Sequence, residues 1–233
     1  MNWLAEESAA MHLPLTAEQQ RQFSLYQDLL VAWNERVNLT AVRLPQQIQE
    51  RHFLDSLTCA TVTGNLNGRS LIDVGTGAGF PGLPLKILFP RLRLVLVDSV
   101  AKKTEFLQVV VRALDLAEVE IVVERSEVLG QSPVHREQYD WVMARGVAAL
   151  RVLAEYLLPL CCVGGYVLAQ KGEGAAEEVR AAATAVATLG GAEPKIYPVT
   201  LPSRKHYLVL IEKVMQTPSN YPRRVGVPAK RPL

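Results

Sequence analysis

The sequence predicts an α/β fold with a doubly wound, mostly parallel sheet, and three observations lead to this prediction. Five short apolar runs alternate with helical patterns between residues 71 and 170. A cluster of glycines, Gly75–Gly82, follows the first of these runs, as in folds that cradle a nucleotide. The last two apolar runs are separated only by residues 202–206, too few for a crossover helix, so they should pair antiparallel.

The composition is that of a globular protein with a large core, since the chain has 233 residues, of which 49% are hydrophobic and 21% charged. No apolar run approaches the roughly 20 residues of a membrane-spanning helix. The first residues are acidic and lack the basic region of a signal peptide, and the cysteines lack the spacing of metal ligands. We therefore expect a cytoplasmic monomer without a membrane segment and without a metal.

Residues 1–62 have the pattern of a helical extension in front of the glycine cluster. Thr16 and Gln19 have the spacing of a capping box, which starts a helix, and a second helix is predicted over Pro45–Cys59. His52 on this second helix is expected to be a hydrogen-bonded structural residue rather than a base. The apolar residues predicted to face inward are Phe23, Tyr26, Leu30, Trp33 and Val37, then Ile48, Phe53, Leu54 and Leu57.

From residue 71 onward the apolar period changes repeatedly between that of a strand and that of a helix. This alternation is the pattern of successive strand–helix units in a parallel sheet. The predicted strands are 71–74, 92–97, 119–123, 139–143, 165–170, 196–201 and 207–213. The predicted helices are 83–89, 102–114, 150–160 and 177–189.

Charge is unevenly distributed along the chain. After residue 202, seven lysines and arginines stand against Glu212 alone, and residues 216–233 form a predicted basic tail. Such a tail indicates a polyanionic partner, commonly a nucleic acid, or only a segment that keeps the protein dissolved. Charge by itself leaves both interpretations open.

The carboxyl ends of the predicted strands carry the candidate binding residues, because ligands of such sheets bind there. The first strand leads into Gly75–Gly82, and the second leads into Asp98 and Ser99. Asp98 has the position at which an acid accepts hydrogen bonds from the hydroxyls of a ribose, or else it caps the helix that begins near Lys102. The later strand ends supply Ser126, Glu127, Arg145 and Lys171.

The glycine cluster fits two registers. Starting from Gly77 it fits the GxGxxG pattern of NAD-type oxidoreductases, but the first glycine then lies two residues past the strand. Starting from Gly75, with Asp73 in the strand before it, Gly75, Gly77 and Gly79 have the spacing typical of S-adenosylmethionine-dependent methyltransferases. The final antiparallel hairpin favours the methyltransferase, and a nucleotide-dependent oxidoreductase stays the alternative.

Further motifs lie outside the glycine cluster. Two of them are Arg51–Leu57, with the residues Arg-His-Phe-Leu-Asp-Ser-Leu, and the tail Tyr221–Leu233. The others are Trp33-Asn34, Asn38–Thr40, Asp73–Gly82, Asp98-Ser99 with Lys102, Ala144–Gly146 and Lys171-Gly172. Together they cover nearly the whole chain and resemble the family of bacterial small-subunit (16S) ribosomal RNA guanine-N7 methyltransferases, also called glucose-inhibited division protein B.

The resemblance implies a Rossmann-like class I methyltransferase fold with an N-terminal helical extension, in which residues 63–215 form the methyltransferase domain. It implies S-adenosylmethionine as the methyl donor and one guanine of 16S rRNA near the decoding centre as the target, in naked rRNA or in the small ribosomal subunit. Two departures from the family pattern are Lys103, where arginine is frequent, and Ser126, where alanine is common. The cofactor-binding candidates are Asp73, Gly75, Gly77, Gly79, Phe80, Asp98, Ser99, Ser126, Glu127 and Arg145.

The implied chemistry needs positioning rather than a catalytic base, because guanine N7 carries an in-plane lone pair and loses no proton before it attacks. Arg145 and Lys171 are the catalytic candidates, as donors to guanine O6 that leave N7 accessible. A non-catalytic RNA-binding protein stays a third interpretation. The residues predicted to contact rRNA phosphates are Arg204, Lys205 and His206 in the last hairpin turn, with Arg223 and Arg224 in the tail.

Overall fold

Seven strands form one sheet in the computed structural model, which describes all 233 residues. The strands are β1 (Ser70–Val74), β2 (Arg93–Val97), β3 (Val119–Val122), β4 (Tyr139–Arg145), β5 (Cys161–Lys171), β6 (Lys195–Leu201) and β7 (Arg204–Glu212). Their order in the sheet is β3-β2-β1-β4-β5-β7-β6. The pairs β2–β3, β1–β4 and β4–β5 are parallel, whereas β7 runs antiparallel to both β5 and β6. The predicted doubly wound, mostly parallel α/β sheet with an antiparallel last strand is confirmed.

Helices precede the first strand, connect most of the strands that follow and include one after the last strand. The α-helices are α1 (Asn2–Ala10), α2 (Ala17–Asn34), α3 (Pro45–Ile48), α4 (Asp55–Leu57), α5 (Ala60–Thr63), α6 (Gly82–Leu88), α7 (Ala101–Ala113), α8 (Ser126–Leu129), α9 (Leu150–Leu157), α10 (Ala175–Thr188) and α11 (Val227–Lys230). A π-helical segment, Gln49–Leu54, and a 3-10 turn, Leu158–Leu160, complete the set. None of these helices combines the length and the apolar character needed to cross a membrane.

Two compact units make up the chain. The first comprises Met1–Arg69 and Thr76–Val123, and the second comprises Ser70–Gly75 and Glu124–Leu233. The first unit therefore contains α1 to α7 with the strands β2 and β3, and the second contains β1, β4 to β7 and α8 to α11. The sequence-based division into residues 1–62, 63–215 and 216–233 stays a prediction.

Helix α2 of the first unit begins with the predicted capping box. The Gln19 N–H donates to Thr16 Oγ1 over 3.2 Å, and the Thr16 N–H donates to Gln19 Oε1 over 2.9 Å. These bonds satisfy two backbone donors that a helix start leaves without partners. The Gln19 side-chain amide also donates to the carbonyls of Ile87 and Leu88 at the end of α6. One residue thus starts α2 and fastens it to α6.

The predicted apolar face of α2 is buried over its first three members. Phe23, Tyr26 and Leu30 have no exposed surface. Trp33 is only partly buried, and Val37 lies beyond the end of the helix. The apolar spacing therefore identifies the inward face correctly but runs past the last helical residue.

The segment predicted as one helix, Pro45–Cys59, is interrupted. Its residues Gln49–Leu54 form a π-helical turn between α3 and α4. A π-turn inserts a residue into an α-helix and rotates the side chains that follow it. Residues 52–60 are all buried, so the end of the π-turn and the helix after it are enclosed on every side. Apolar spacing alone does not reveal such an insertion.

Strand β5 starts earlier than residue 165, its predicted beginning. It begins at Cys161, and a bulge shifts its register against β4 between Tyr139 and Trp141. Cys161 is buried at the strand entry, and burial raises the pKa of its thiol. Reactive cysteines need the opposite shift, because the thiolate is the nucleophile. Cys161 is therefore a structural residue.

The turn of the last hairpin is shorter than predicted. Residues 202–203 form it, because β7 begins at Arg204 and Thr200 pairs with Lys205 across the two strands. The placement of Arg204, Lys205 and His206 in the turn is therefore wrong, since all three belong to β7. Arg204 and Lys205 are exposed at the start of β7, whereas His206 is buried.

The C-terminal segment, residues 216–233, is anchored to the second unit. The Arg136 guanidinium donates to the carbonyl of Tyr221 over 2.7 Å and to the carbonyl of Thr217 over 2.6 Å. A planar guanidinium suits this task, because its donors point in fixed directions. The segment predicted as a basic tail is thus held in place by hydrogen bonds to its own backbone carbonyls, and these bonds do not involve its charged side chains.

Lys213, directly after β7, is fully buried. Its ammonium donates to the carbonyls of Leu158 over 2.8 Å and Leu189 over 3.1 Å, and to the hydroxyl of Thr217. The Glu137 carboxylate lies 3.4 Å away. Burial lowers the pKa of Lys213, and Glu137 opposes this shift. The lysine joins three segments of the second unit at one point.

Candidate cofactor-binding site

The loop Thr76–Pro81 of the first unit, here named the glycine loop, has free space at one of its glycines. Gly77 has a φ of +62° and Gly79 a φ of +101°, a region that glycine adopts without strain. A Cβ at Gly79 would lie 2.5 Å from Leu83 Cδ1 and 2.6 Å from Tyr26 Oη. A Cβ at Gly77 would meet no atom within 4 Å. A ligand can therefore approach the backbone at Gly77.

Asp98 holds the start of the glycine loop. Its Oδ2 accepts the Gly77 N–H over 3.0 Å and lies 3.6 Å from Lys103 Nζ, while its Oδ1 accepts the Val100 N–H over 2.9 Å. Helix α7 begins at Ala101 without a side-chain cap, so the alternative in which Asp98 caps this helix does not hold. A carboxylate offers about four lone-pair sites, which leaves capacity for a ribose.

Phe80 of the glycine loop belongs to a cluster of aromatic rings from the N-terminal helices. The His52 ring stacks on it with centroids 4.6 Å apart, and the Tyr26 ring stacks on it at 5.6 Å. The Tyr26 hydroxyl donates to the carbonyl of Ala78. His52 is hydrogen-bonded, as expected of a structural histidine, with Nε2 2.7 Å from Thr40 Oγ1. The first unit therefore supports the glycine loop through side chains distant in sequence.

Asn34 holds the segment that carries Thr40. Its Oδ1 accepts the N–H groups of Leu39 and Thr40, each over 2.9 Å, and its Nδ2 donates to the Thr40 carbonyl over 2.9 Å. Hydrogen bonds and ring stacking thus lead from Asn34 through Thr40 and His52 to Phe80. Sequence reasoning missed this support of the glycine loop. The only signal for it was that these residues lie in motifs of the resembled family.

In the second unit, the residues after β1 and β4 meet. Asp73 is fully buried within β1. Gly75 follows with a φ of +69°, and a Cβ there would lie 2.6 Å from Val147 Cγ2. Val147 belongs to the loop Gly146–Ala149, which follows Arg145 at the end of β4. The side chain of Val147 therefore covers the first glycine of the motif.

Lys171 is engaged by the protein itself. Its Nζ lies 2.7 Å from Glu178 Oε2 and donates to the carbonyl of Ala148 over 2.5 Å. Glu178 Oε2 also accepts the Leu150 N–H over 2.6 Å. The ammonium predicted to approach a guanine thus has two intramolecular partners. No sequence signal pointed to Glu178.

Ser126 and Glu127 form the first turn of the short helix α8, and both are buried. Glu127 Oε1 accepts the N–H of Gly226 over 3.0 Å, and Ser126 Oγ lies 3.4 Å from Glu127 Oε2. The C-terminal segment therefore occupies part of the Glu127 carboxylate. Ser99, the remaining cofactor candidate, is exposed directly after Asp98 in the first unit.

The residues predicted to bind RNA fall into two groups. Arg223 forms a two-pronged ion pair with Glu155, with Nε 2.9 Å from Oε1 and Nη2 2.6 Å from Oε2. Glu155 is buried, so this contact is part of the packing of the second unit. His206 is also buried. The exposed members of the set are Arg204, Lys205 and Arg224.

Comparison with known proteins identifies the family. The family model described as rRNA small subunit methyltransferase G matches residues 19–207. A protein of Roseiflexus sp. (strain RS-1), named Ribosomal RNA small subunit methyltransferase G, is 52% identical over 234 residues, which cover 100% of both chains. The chain belongs to the rRNA small subunit methyltransferase G family. The resemblance and the predicted class of enzyme, a methyltransferase, are thereby confirmed. The matched residues include every predicted cofactor position but end before Arg223 and Arg224.

Solved structures show the fold of this methyltransferase G chain. TrmN from Thermus thermophilus aligns with a TM-score of 0.54 at 18% identity, over 69% of this chain and 48% of that one. A mutant of the 16S rRNA (adenine(1408)-N(1))-methyltransferase from Catenulisporales acidiphilia, solved with cosubstrate SAM, aligns with a TM-score of 0.52 at 18% identity, over 66% and 88%. At these identities the likeness shows the fold alone, which is the predicted Rossmann-like class I methyltransferase fold.

Proposed function

We propose that this protein transfers the methyl group of S-adenosylmethionine to N7 of a specific guanine in 16S rRNA, near the decoding centre. One observation carries the proposal: this member of the methyltransferase G family has a glycine loop with free space at Gly77. The names of the relatives support small-subunit rRNA as the substrate. Action in the cytoplasm, as a monomer, belongs to the same proposal.

The residues present fit this methyl donor. Gly77 allows a ligand to lie against the backbone, and the neighbouring Asp98 carboxylate has lone pairs for the hydroxyls of a ribose. At Gly75 and Gly79, by contrast, side chains of the protein pack directly against the backbone. When bound, S-adenosylmethionine supplies an electrophilic methyl group on a sulfonium sulfur. Gly77 and Asp98 would hold the nucleoside part of the molecule.

The transfer itself asks little acid–base chemistry of the protein. The N7 lone pair forms a bond to the methyl carbon while the carbon–sulfur bond breaks and its electron pair stays on sulfur. The products are a cationic 7-methylguanine and S-adenosylhomocysteine. The protein must chiefly align the two reactants. Arg145, at the end of β4, is the candidate donor to guanine O6, through one contact that leaves N7 accessible.

The exposed cations of the second unit are the proposed contacts to rRNA. Arg204, Lys205 and Arg224 can neutralise phosphates, since their side chains reach solvent. Binding through phosphates weakens as salt rises, because counterions are released from the nucleic acid. Affinity for 16S rRNA that did not change with salt would contradict this assignment.

The decisive experiment detects the product at its position. Purified protein is incubated with S-adenosylmethionine and with 16S rRNA or small subunits from a strain that lacks the activity. Borohydride and aniline then cleave the RNA at 7-methylguanosine, and primer extension locates the break. We expect one enzyme-dependent stop. Methylation without a stop would rule out N7, and calorimetric binding of NAD in place of S-adenosylmethionine would overturn the methyltransferase proposal.

A further inference from the structure

The end of β5 carries an ion pair that also holds the backbone. The Lys171 ammonium lies 2.7 Å from Glu178 Oε2 and donates to the Ala148 carbonyl over 2.5 Å. The side chain of Lys171 is 8% exposed and that of Glu178 is 32% exposed, so solvent screens this pair less than a surface pair. The lysine therefore ties α10 to the loop Gly146–Ala149.

Glu178 has a second partner at the start of α9. Its Oε2 accepts the Leu150 N–H over 2.6 Å, and no side chain of the cap residue Ala149 satisfies that helix start. A carboxylate at a helix start satisfies a backbone donor and interacts favourably with the helix dipole. Ala148 and Leu150 are thus held on both sides of Ala149 by the same two side chains.

The loop held in this way lies against Gly75, the glycine directly after β1. Val147, next to Ala148, has its Cγ2 only 2.6 Å from the position of a Cβ on Gly75. At its other end the loop directly follows Arg145, the last residue of β4. A shift of the Ala148 carbonyl would therefore move the side chain that covers Gly75.

We propose that Lys171 and Glu178 are positioning residues, which hold the loop Gly146–Ala149 against Gly75 and thereby set the affinity for S-adenosylmethionine. Lys171 acts through this loop and not on the guanine. The inference rests on the proposed function, because it takes Gly75 to border the bound methyl donor. The two side chains work as one unit, since each loses its partner when the other is removed.

The test measures cofactor binding and turnover separately. Calorimetry gives the Kd of S-adenosylmethionine for Lys171→Ala, Glu178→Ala, Glu178→Gln and the double variant, and methylation of 16S rRNA gives KM and kcat. We expect each alanine variant to raise Kd and KM for S-adenosylmethionine about tenfold, the order that one hydrogen bond to a charged group contributes. The double variant should be no weaker than the worse single variant. At saturating S-adenosylmethionine, kcat should match that of the wild type.

The same helix offers a matched control. Glu177 and Arg180 form an ion pair on α10 whose side chains are 68% and 71% exposed. Glu177→Ala should leave Kd, KM and kcat unchanged, because exposed pairs contribute little. Lys171→Arg should keep most of the wild-type affinity for S-adenosylmethionine, since a guanidinium can donate to both Glu178 and the Ala148 carbonyl. Thermal unfolding establishes that each variant is folded.

Three results would overturn the inference. The first is a loss of kcat with an unchanged Kd in Lys171→Ala, while Glu178→Ala keeps the kcat and Kd of the wild type. This result would make Lys171 a catalytic residue. The second is a wild-type Kd in both variants.

If the wild-type protein itself fails to bind S-adenosylmethionine, the proposed function falls. Hydrogen exchange at the amides of 147–150 then tests whether the two side chains hold the loop. Faster exchange in both variants would support the tie, and unchanged exchange is the third contrary result.

Discussion

The imidazole ring of His52 lies flat against the phenyl ring of Phe80, with centroids 4.6 Å apart and planes 16° from parallel. Thr40 Oγ1, 2.7 Å from His52 Nε2, keeps the imidazole in this orientation. Phe80 belongs to the glycine loop, whereas His52 comes from the π-helical segment. A change among the N-terminal helices should therefore reach the candidate cofactor site.

Replacing His52 with alanine should weaken S-adenosylmethionine binding by a factor of about ten or less, since an aromatic pair contributes about 0.5–1.5 kcal/mol. His52→Phe keeps a ring on Phe80 and should lose less than His52→Ala. Calorimetric titration measures both. His135→Ala is the control, because His135 stacks on Tyr139 at the amino end of β4. Wild-type affinity in His52→Ala would show that the ring stack does not support the loop.

Two glycines of the loop should respond differently to a methyl group. Gly79→Ala should lower the free energy of unfolding by about 2–5 kcal/mol, because overpacking adds to the strain of a positive φ. Its Cβ would meet Leu83 Cδ1 at 2.5 Å and Tyr26 Oη at 2.6 Å. Gly77→Ala should lose about 1–2 kcal/mol, the strain of its φ alone, yet it should abolish S-adenosylmethionine binding.

Urea unfolding and calorimetry separate these effects. Gly68→Ala is the control, since Gly68 also has a positive φ, +80°, with no atom within 4 Å of its Cβ position. It should lose stability comparable to Gly77→Ala while keeping its affinity. Full affinity in Gly77→Ala would mean that the methyl donor does not approach that stretch of backbone.

Arg223→Ala should lower the free energy of unfolding by about 3–5 kcal/mol, because it leaves the buried charge of Glu155 without its partner. Glu155 is 1% exposed and receives both prongs of the guanidinium. Arg224→Ala changes an exposed neighbour and should stay within about 0.5 kcal/mol of the wild type. Urea unfolding measures both. A stable Arg223→Ala that bound rRNA weakly would restore Arg223 to the RNA contacts.

Lys213 should make stability depend on pH. Burial lowers its pKa below the ordinary 10.5. Between the lowered pKa and 10.5 the unfolded chain binds more protons than the folded one, so this contribution to the free energy of unfolding rises with pH and levels off above 10.5. The free energy of unfolding of the wild type minus that of Lys213→Met, both measured by urea unfolding, should therefore increase with pH. Lys195→Met, at an exposed lysine of β6, should show no such trend.

Local patterns predicted the sheet well because the period of apolar residues is a property of consecutive residues. The strands lie within a few residues of their predicted bounds, except that β5 begins at Cys161 and β7 at Arg204. Both differences arise from pairing with a neighbouring strand, through a bulge beside β4 and a tight turn after β6. The π-helical interruption was likewise invisible, since it changes the backbone hydrogen bonding of Gln49–Leu54 without changing which residues are apolar.

The sequence by itself determined the α/β architecture, the position of the glycine loop and the family, because these depend on local period and on motifs within short segments. Only the tertiary structure decided which charged residues are left to meet a ligand. Arg223 and Glu155 are 68 positions apart, and Lys171 reaches Ala148 across 23 positions. No local pattern encodes such pairs, since a charge finds its partner only after the chain has folded. The glycine loop shows the same division: its glycines are plain in the sequence, whereas the free space at Gly77 results from packing.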